Sequence, residues 1–367
     1  MASVYYTHPI VSEEEVRQCI ESMGADDIAK AFAHAFAAAT IHYTSAIVAR
    51  QEGTYSHIRY LINTAATTLG PTMPGQQASV IVIMTYDFLA TCSMGLQDSK
   101  TAFLYLRHAI SLAETLRLSD DVSLLDARLT ESLRQQRLYW LLYVHERYQS
   151  ISEYRNSILR PLPRIPQYDN AVPAGIHVGF VRLVKLFMLL DDVFIDNWLS
   201  SRRDGKISPD WVISKCEDFY HDEEDCDSES QLLTVEQQAD LTITRHWLLT
   251  LVWRMAMTNG LLGHFESETC LSLLFPVRIC DRLRQAVTKV PHEAIEIHGA
   301  GIVQKLFELT DTMADVVLHV PPASMGDSAM RIDSLLFLLR LVFALPHLDV
   351  TRKGILGAKL DRLQSVT

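Results

Sequence analysis

The stretch RQQRLYWLLYVHERYQSI, Arg134 to Ile151, decides the fold. It contains no glycine and no proline, and every side chain from Leu138 to Val144 is apolar or aromatic. A surface helix carries its apolar residues on one stripe, and a half-buried strand alternates them. This run does neither and reads as a central helix buried on several sides. Such a helix must be surrounded by other elements. Arg137, Glu146 and Arg147 punctuate the run, and a charge placed beside aromatic rings needs a partner, because an unpaired interior charge is costly. The plain expectation is a structural ion pair that locks the helix to its neighbours, with Arg137, Trp140, Tyr143 and Glu146 as its signature. A sharper alternative is that Arg147 contacts a small acidic or hydroxylated effector.

Outward from this helix, steps of three and four dominate. Asp26 and Asp27 suit an N-terminal cap, and Ile28, Phe32, Ala35, Ala39, Tyr43 and Ala46 follow at helical spacing. Ala102, Leu106, Ala109, Ala113 and Leu116 repeat the pattern. Further helices are predicted roughly over Gly175 to Ser201, Thr234 to Leu262, Thr269 to Val290, His292 to His319 and Ser328 to Leu345. The best β-branched run, Val80 to Ile83, is short, so no sheet is needed. The fold class is therefore all-α. Gly70 to Gly75 and Pro321 to Ser328 read as breaks, and the acidic run His221 to Ser230 reads as a solvated loop. The proline-rich Arg160 to Pro166 suggests an N-terminal helical half over 1–160 and a C-terminal half over 161–367, continuous as one domain. Tyr60, Leu61 and Ala65 are echoed by Tyr105, Leu106 and Ile110 at an offset close to that of stacked helix pairs, which supports antiparallel pairs packed side by side.

Composition narrows the function. The chain has 367 residues, 48% of them hydrophobic and 21% charged, with a formal net charge of -11. It is globular in profile, and its acidity disfavours direct contact with nucleic acid or an anionic membrane surface. Six cysteines without a C-x-x-C pair suggest neither a zinc ribbon nor a disulfide scaffold. The N-terminal residues lack a secretory apolar segment, and Ala31 to Ala49 reads as a buried helix rather than a membrane span.

Catalytic motifs fall away on inspection. Asp192 and Asp196 share a helix face, as in magnesium-binding terpenoid synthases, but their spacing is wrong and the Asn259 region lacks the second metal motif. His292 and His298 are not H-E-x-x-H ligands, and Gly299 to Gln304 lacks both the third glycine and the strand of a dinucleotide loop. Cys216, His221 and Cys226 sit in acidic surroundings that need no metal, and His34 and His42 lie on an apolar helix. No catalytic residue and no metal ligand is assigned. Trp247, Trp253 and Arg254 share one helix, with Trp247 and Arg254 nearly aligned. With Trp198 they are the candidates for lining a ligand cavity, with core packing as the plainer role.

The pair of helices resembles a known family. KTAFLYLRHAISLAETLRL, with Ala102, Tyr105, Leu106, Arg107, Ala109, Ile110, Ala113 and Leu116, precedes Arg137, Leu138, Tyr139, Trp140, Leu142, Tyr143, Glu146 and Arg147. Together they resemble the middle homology region of fungal zinc-cluster transcription factors, and Pro161 to Pro166 and Phe187 to Trp198 resemble its later segments. The similarity is greatest with regulators of sugar and polysaccharide metabolism. The resemblance implies a nuclear, non-enzymatic regulatory domain that binds a small-molecule effector, a coregulator protein or its own twin. It implies zinc only in a six-cysteine DNA-binding module that is absent from this chain, and no cofactor in the chain itself. A free-standing helical scaffold for protein partners is the alternative, and a terpenoid-type enzyme the remote one.

Overall fold

The computed structural model describes residues 2–44, 53–70, 78–119, 129–200, 207–263 and 269–366. Among these the chain is helical, with a single isolated bridge between Gly263 and Ser272 and no strand. No described helix is long and apolar enough to cross a membrane. Ala46, Pro71 to Gly75 and Ser267 lie outside the described residues.

Two compact units divide the chain, one of residues 1–188 with 232–234, the other of 189–231 with 235–367. The first contains α1 (Ala2–Thr7), α2 (Glu13–Ser22), α3 (Asp27–Thr44), α4 (Thr54–Leu69), α5 (Val80–Gly95), α6 (Ser99–Thr115), α7 (Leu129–Ser152) and α8 (Ala174–Met188). Helices α3 and α4 pack together extensively, as do α5 and α6, and α3 also packs on α5. These pairs include the two echoed sequences. Several helices begin where the sequence supplies an acceptor for the orphan amides of the first turn. Asp26 Oδ1 accepts from Ile28 N at 2.8 Å, Ser79 Oγ from Val82 N at 3.3 Å and Asp98 Oδ1 from Thr101 N at 3.1 Å.

Helix α7 contacts α5, α6 and α8. Each residue from Leu138 to Val144 is at most 5% exposed, so the helix is a hub. Aromatic residues are mediocre helix formers, by ~0.5 kcal/mol each. Burial of each large apolar side chain contributes ~1.5–3 kcal/mol and outweighs that preference. The proline segment after α7 packs with this first unit, and its carbonyls are bound by α7 side chains.

The second unit contains α9 (Asp192–Ser200), α10 (Pro209–Glu229), α11 (Val235–Thr258), α12 (Phe275–Val287), α13 (His292–Glu296), α14 (Gly299–His319), α15 (Met325–Ala344) and α16 (Val350–Val366). Here α11 is the core, packed against α10, α12, α13 and α14, and α14 in turn carries α15 and α16.

Several boundaries differ from the sequence expectation. The helix predicted over Gly175 to Ser201 is two, because Asp191 caps a new start, accepting from Phe194 N at 2.8 Å. The helix predicted over His292 to His319 is also two, interrupted before Gly299, whose φ of 62° lies in the left-handed region. Pro276 in the first turn places the start of α12 at Phe275 rather than near Thr269. The run His221 to Ser230 is not a loop: its residues through Glu229 are helical. Val212, Cys216 and Phe219 bury one face of α10, and glutamate tolerates a helix well. Helices α1, α2 and α16 had no forecast.

Candidate functional site

The signature residues meet on one segment of the first unit. Glu146, towards the C-terminal end of α7, is buried, and each carboxylate oxygen is used. Its Oε1 accepts from Arg107 Nη1 of α6 at 2.7 Å and from Ile158 N at 3.0 Å, and its Oε2 accepts from Leu159 N at 2.8 Å. Arg107 also donates to the Asn156 carbonyl. The next residue, Arg147, is 1% exposed. It donates to Ser157 Oγ at 2.6 Å and to the Leu159 carbonyl at 3.2 Å, with its guanidinium 5.0 Å from the centre of the Tyr143 ring. Tyr143 meets Trp140 edge-on at 5.3 Å.

The rest of the signature clamps the proline segment. Tyr139 Oη donates to the Arg160 carbonyl at 2.8 Å, Trp140 Nε1 to the Arg164 carbonyl at 3.1 Å, and Arg137 Nη1 to Asp169 Oδ2 at 3.0 Å. A proline-rich stretch forms no ladder of its own, so its carbonyls need side-chain donors. The aromatic and basic positions of α7 supply them. The sequence named the residues but not their common target, and Arg107 was recognised only as part of a pattern. Its role depends on a contact across 39 positions that no local spacing announces.

Three of the four candidates of the second unit gather around α11 and α14. Trp247 Nε1 donates to Glu308 Oε2 at 2.7 Å, and Arg254 Nη1 lies 3.7 Å from the same oxygen. The alignment of Trp247 and Arg254 on α11 thus converges on one carboxylate. Gln304 Nε2 donates to Glu308 Oε1. The Arg254 guanidinium lies 5.5 Å from the Trp198 ring centre, and its side chain is 33% exposed, which leaves an edge open to solvent. Trp253 does not join them. It faces another way on the helix and donates to the Ser272 carbonyl at 2.8 Å. Arg147 belongs to the first unit and is not part of this cluster.

Beside it, Lys305 Nζ donates to Asp240 Oδ1 at 3.0 Å and to Thr244 Oγ1 at 2.6 Å. Burial alone would raise the Asp240 carboxyl, but the Lys305 ammonium and its hydrogen bonds hold it down at about 2. The sequence reading missed Glu308, Lys305 and Asp240. A lysine and a glutamate interrupting the apolar run Ile302 to Leu309 were the available signal. Chemically the cluster offers a part-exposed guanidinium, lying over a buried indole, and a carboxylate, groups that can hold hydroxylated small molecules.

Comparison with known proteins places these features in a lineage. A probable sucrose utilization protein of Candida albicans is 23% identical over 260 residues, 70% of this chain and 51% of its own length. A respiratory transcription factor of Saccharomyces cerevisiae is 22% identical over 280 residues, 75% of this chain and 57% of its own. A maltose fermentation regulatory protein of the same yeast is 21% identical over 349 residues, covering 94% of this chain and 72% of that protein. The chain thus spans about half the length of the first two relatives. No sequence-family model matches it, and no solved structure does. The homologues are fungal regulators, related at low identity over most of the chain, as the paired helix signature implied.

Proposed function

We propose that this chain is the effector-responsive regulatory domain of a fungal zinc-cluster transcription factor that controls carbohydrate utilisation. The supporting observation is the kinship with fungal regulators of sucrose and maltose use, which in one case runs along 94% of the chain. On this reading the zinc-cluster module that touches DNA is a separate segment of the full protein, which is nuclear. The acidic domain governs that module without touching nucleic acid itself. On this reading it has no catalytic role, as its relatives are regulators.

The effector on this reading is a sugar or a phosphorylated derivative. Its receptor is the surface made by Arg254 and Glu308, with Trp198 beneath the guanidinium, since a planar guanidinium and a carboxylate bind sugar hydroxyls. Binding biases two arrangements of the second unit through differential contact, and the attached module responds. A thermal-shift series with maltose, sucrose, glucose and glucose 6-phosphate tests this. One of them at about 100 times its dissociation constant should add ~2.7 kcal/mol to the folded state. Unchanged melting with all four, up to tens of millimolar, would count against a sugar effector.

A further inference from the structure

A third cluster lies apart from both sites. His8 follows α1, Asp87 sits in the middle of α5, and His145 lies on α7 immediately before Glu146. One donor atom from each lies within 4.8 Å of the other two. His8 and Asp87 are fully buried, while the His145 side chain is 27% exposed and gives an approach from solvent.

The proton inventory of His8 is informative. The Thr7 hydroxyl has one hydrogen and donates it to the Val4 carbonyl at 3.0 Å. Thr7 Oγ1 is also 2.8 Å from His8 Nδ1, so there the hydroxyl oxygen accepts and Nδ1 carries the proton. In a neutral imidazole this leaves a lone pair on Nε2. That nitrogen is 3.1 Å from Asp87 Oδ2, within ion-pair range, and neither atom has a hydrogen-bond partner elsewhere. A bare nitrogen and a carboxylate oxygen facing each other in a dry interior repel. A cation between them relieves this.

We propose that His8, Asp87 and His145 form a binding site for a divalent transition metal of the zinc class. Metal-ligand bonds of ~2.0–2.1 Å at tetrahedral angles separate donors by about 3.3–3.4 Å, close to the His8–Asp87 spacing. Two imidazoles and one carboxylate suit zinc, cobalt or nickel rather than calcium or magnesium. The metal binds His8 Nε2, with the Nδ1 proton held by Thr7 as an outer partner that fixes the ring tautomer. It binds an Asp87 oxygen and then His145 Nδ1, which is now 2.7 Å from Asp87 Oδ1, once that ring carries its proton on the other nitrogen. A water or small-molecule donor completes the tetrahedron. This site clips the segment after α1 to α5 and to the signature helix, and it departs from the expectation that zinc belongs only to the DNA-binding module.

The test uses the whole chain, stripped with chelator and returned to one equivalent of cobalt(II) or zinc(II). The expected results are a visible tetrahedral cobalt spectrum displaced by zinc, one zinc per chain by mass spectrometry after gel filtration, and a thermal midpoint raised by roughly 5 °C or more in excess zinc. His145→Gln, at a partly exposed position, should keep the far-ultraviolet helical signal while losing at least 90% of the bound metal. Cys216→Ser, which removes a thiol elsewhere in the chain, should retain it. A wild-type chain that holds no metal, or a His145→Gln chain that binds as well as wild type, would overturn the site.

Discussion

Helices α7 and α11 solve the same problem in opposite ways. Each is the buried centre of its unit, and each carries tryptophan, arginine and a carboxylate contact. Around α7 the charges at positions 146 and 147 are held locally: Glu146 takes Arg107 and two backbone amides, and Arg147 takes Ser157 and a carbonyl. Around α11 the shared carboxylate of Glu308 serves Trp247 closely but Arg254 only at 3.7 Å, and Arg254 keeps a solvent edge over Trp198. A closed network fixes a conformation, whereas one with an open edge can change partners. The lesson is that a sequence signature of charged and aromatic residues marks architecture in the first unit, while the network with an open edge lies in the less recognisable second.

The largest effect expected from this contrast is at Glu146. Truncation by Glu146→Ala strands the Ile158 and Leu159 amides and a guanidinium, and should cost about 3–5 kcal/mol in urea unfolding. Glu308→Ala should cost about 1–2 kcal/mol, because Arg254 turns to water and chiefly the Trp247 N–H is left unpaired. Equal losses would erase the distinction between the closed and the open network.

How much of this was legible beforehand follows the same division. The hub helix announced itself because seven adjacent apolar and aromatic residues admit no wet face, and the structure buries every one. Asp26 as a cap is a local fact and was readable. Asp191, which splits α8 from α9, was not, since its capping bond depends on where the chain turns. The acidic end of α10 misled because charge density was read as loop, although Val212, Cys216 and Phe219 had already committed the helix. His8, Asp87 and His145 stand 79 and 58 positions apart in turn, so no motif joins them; only the packing of α5 and α7 does.

A second way to sharpen the comparison is by acid. His246 of α11 is buried and donates Nδ1–H to the Thr242 carbonyl at 2.7 Å, and burial pushes its pKa down to about 4. The unfolded chain takes up this proton near pH 6.5, the folded chain only near 4. Stability is therefore intact above about pH 6.5 and falls between there and 4, by up to ~1.4 kcal/mol per pH unit. Asp240, held at about 2, adds a loss only below the ordinary aspartate range of about 4. His246→Asn keeps a donor for Thr242 without the titration. Its urea midpoint should vary less between pH 7 and 4.5 than that of the wild type, and parallel profiles would refute the assignment.

The smallest structural effect, and the most informative functional one, is expected at Arg254. Its ion pair is long and part-solvated, so Arg254→Ala should change stability by no more than about 1 kcal/mol. If the open edge of α11 receives a sugar, the same substitution should abolish any sugar-induced rise in melting temperature, because it removes the guanidinium stacked on Trp198. Arg147→Lys offers the contrast. Its guanidinium is sealed against Tyr143, Ser157 and Leu159, so the variant should lower stability yet leave the response to sugar intact. A response lost at Arg147 and kept at Arg254 would reverse the roles of the two helices and return the effector to the signature helix.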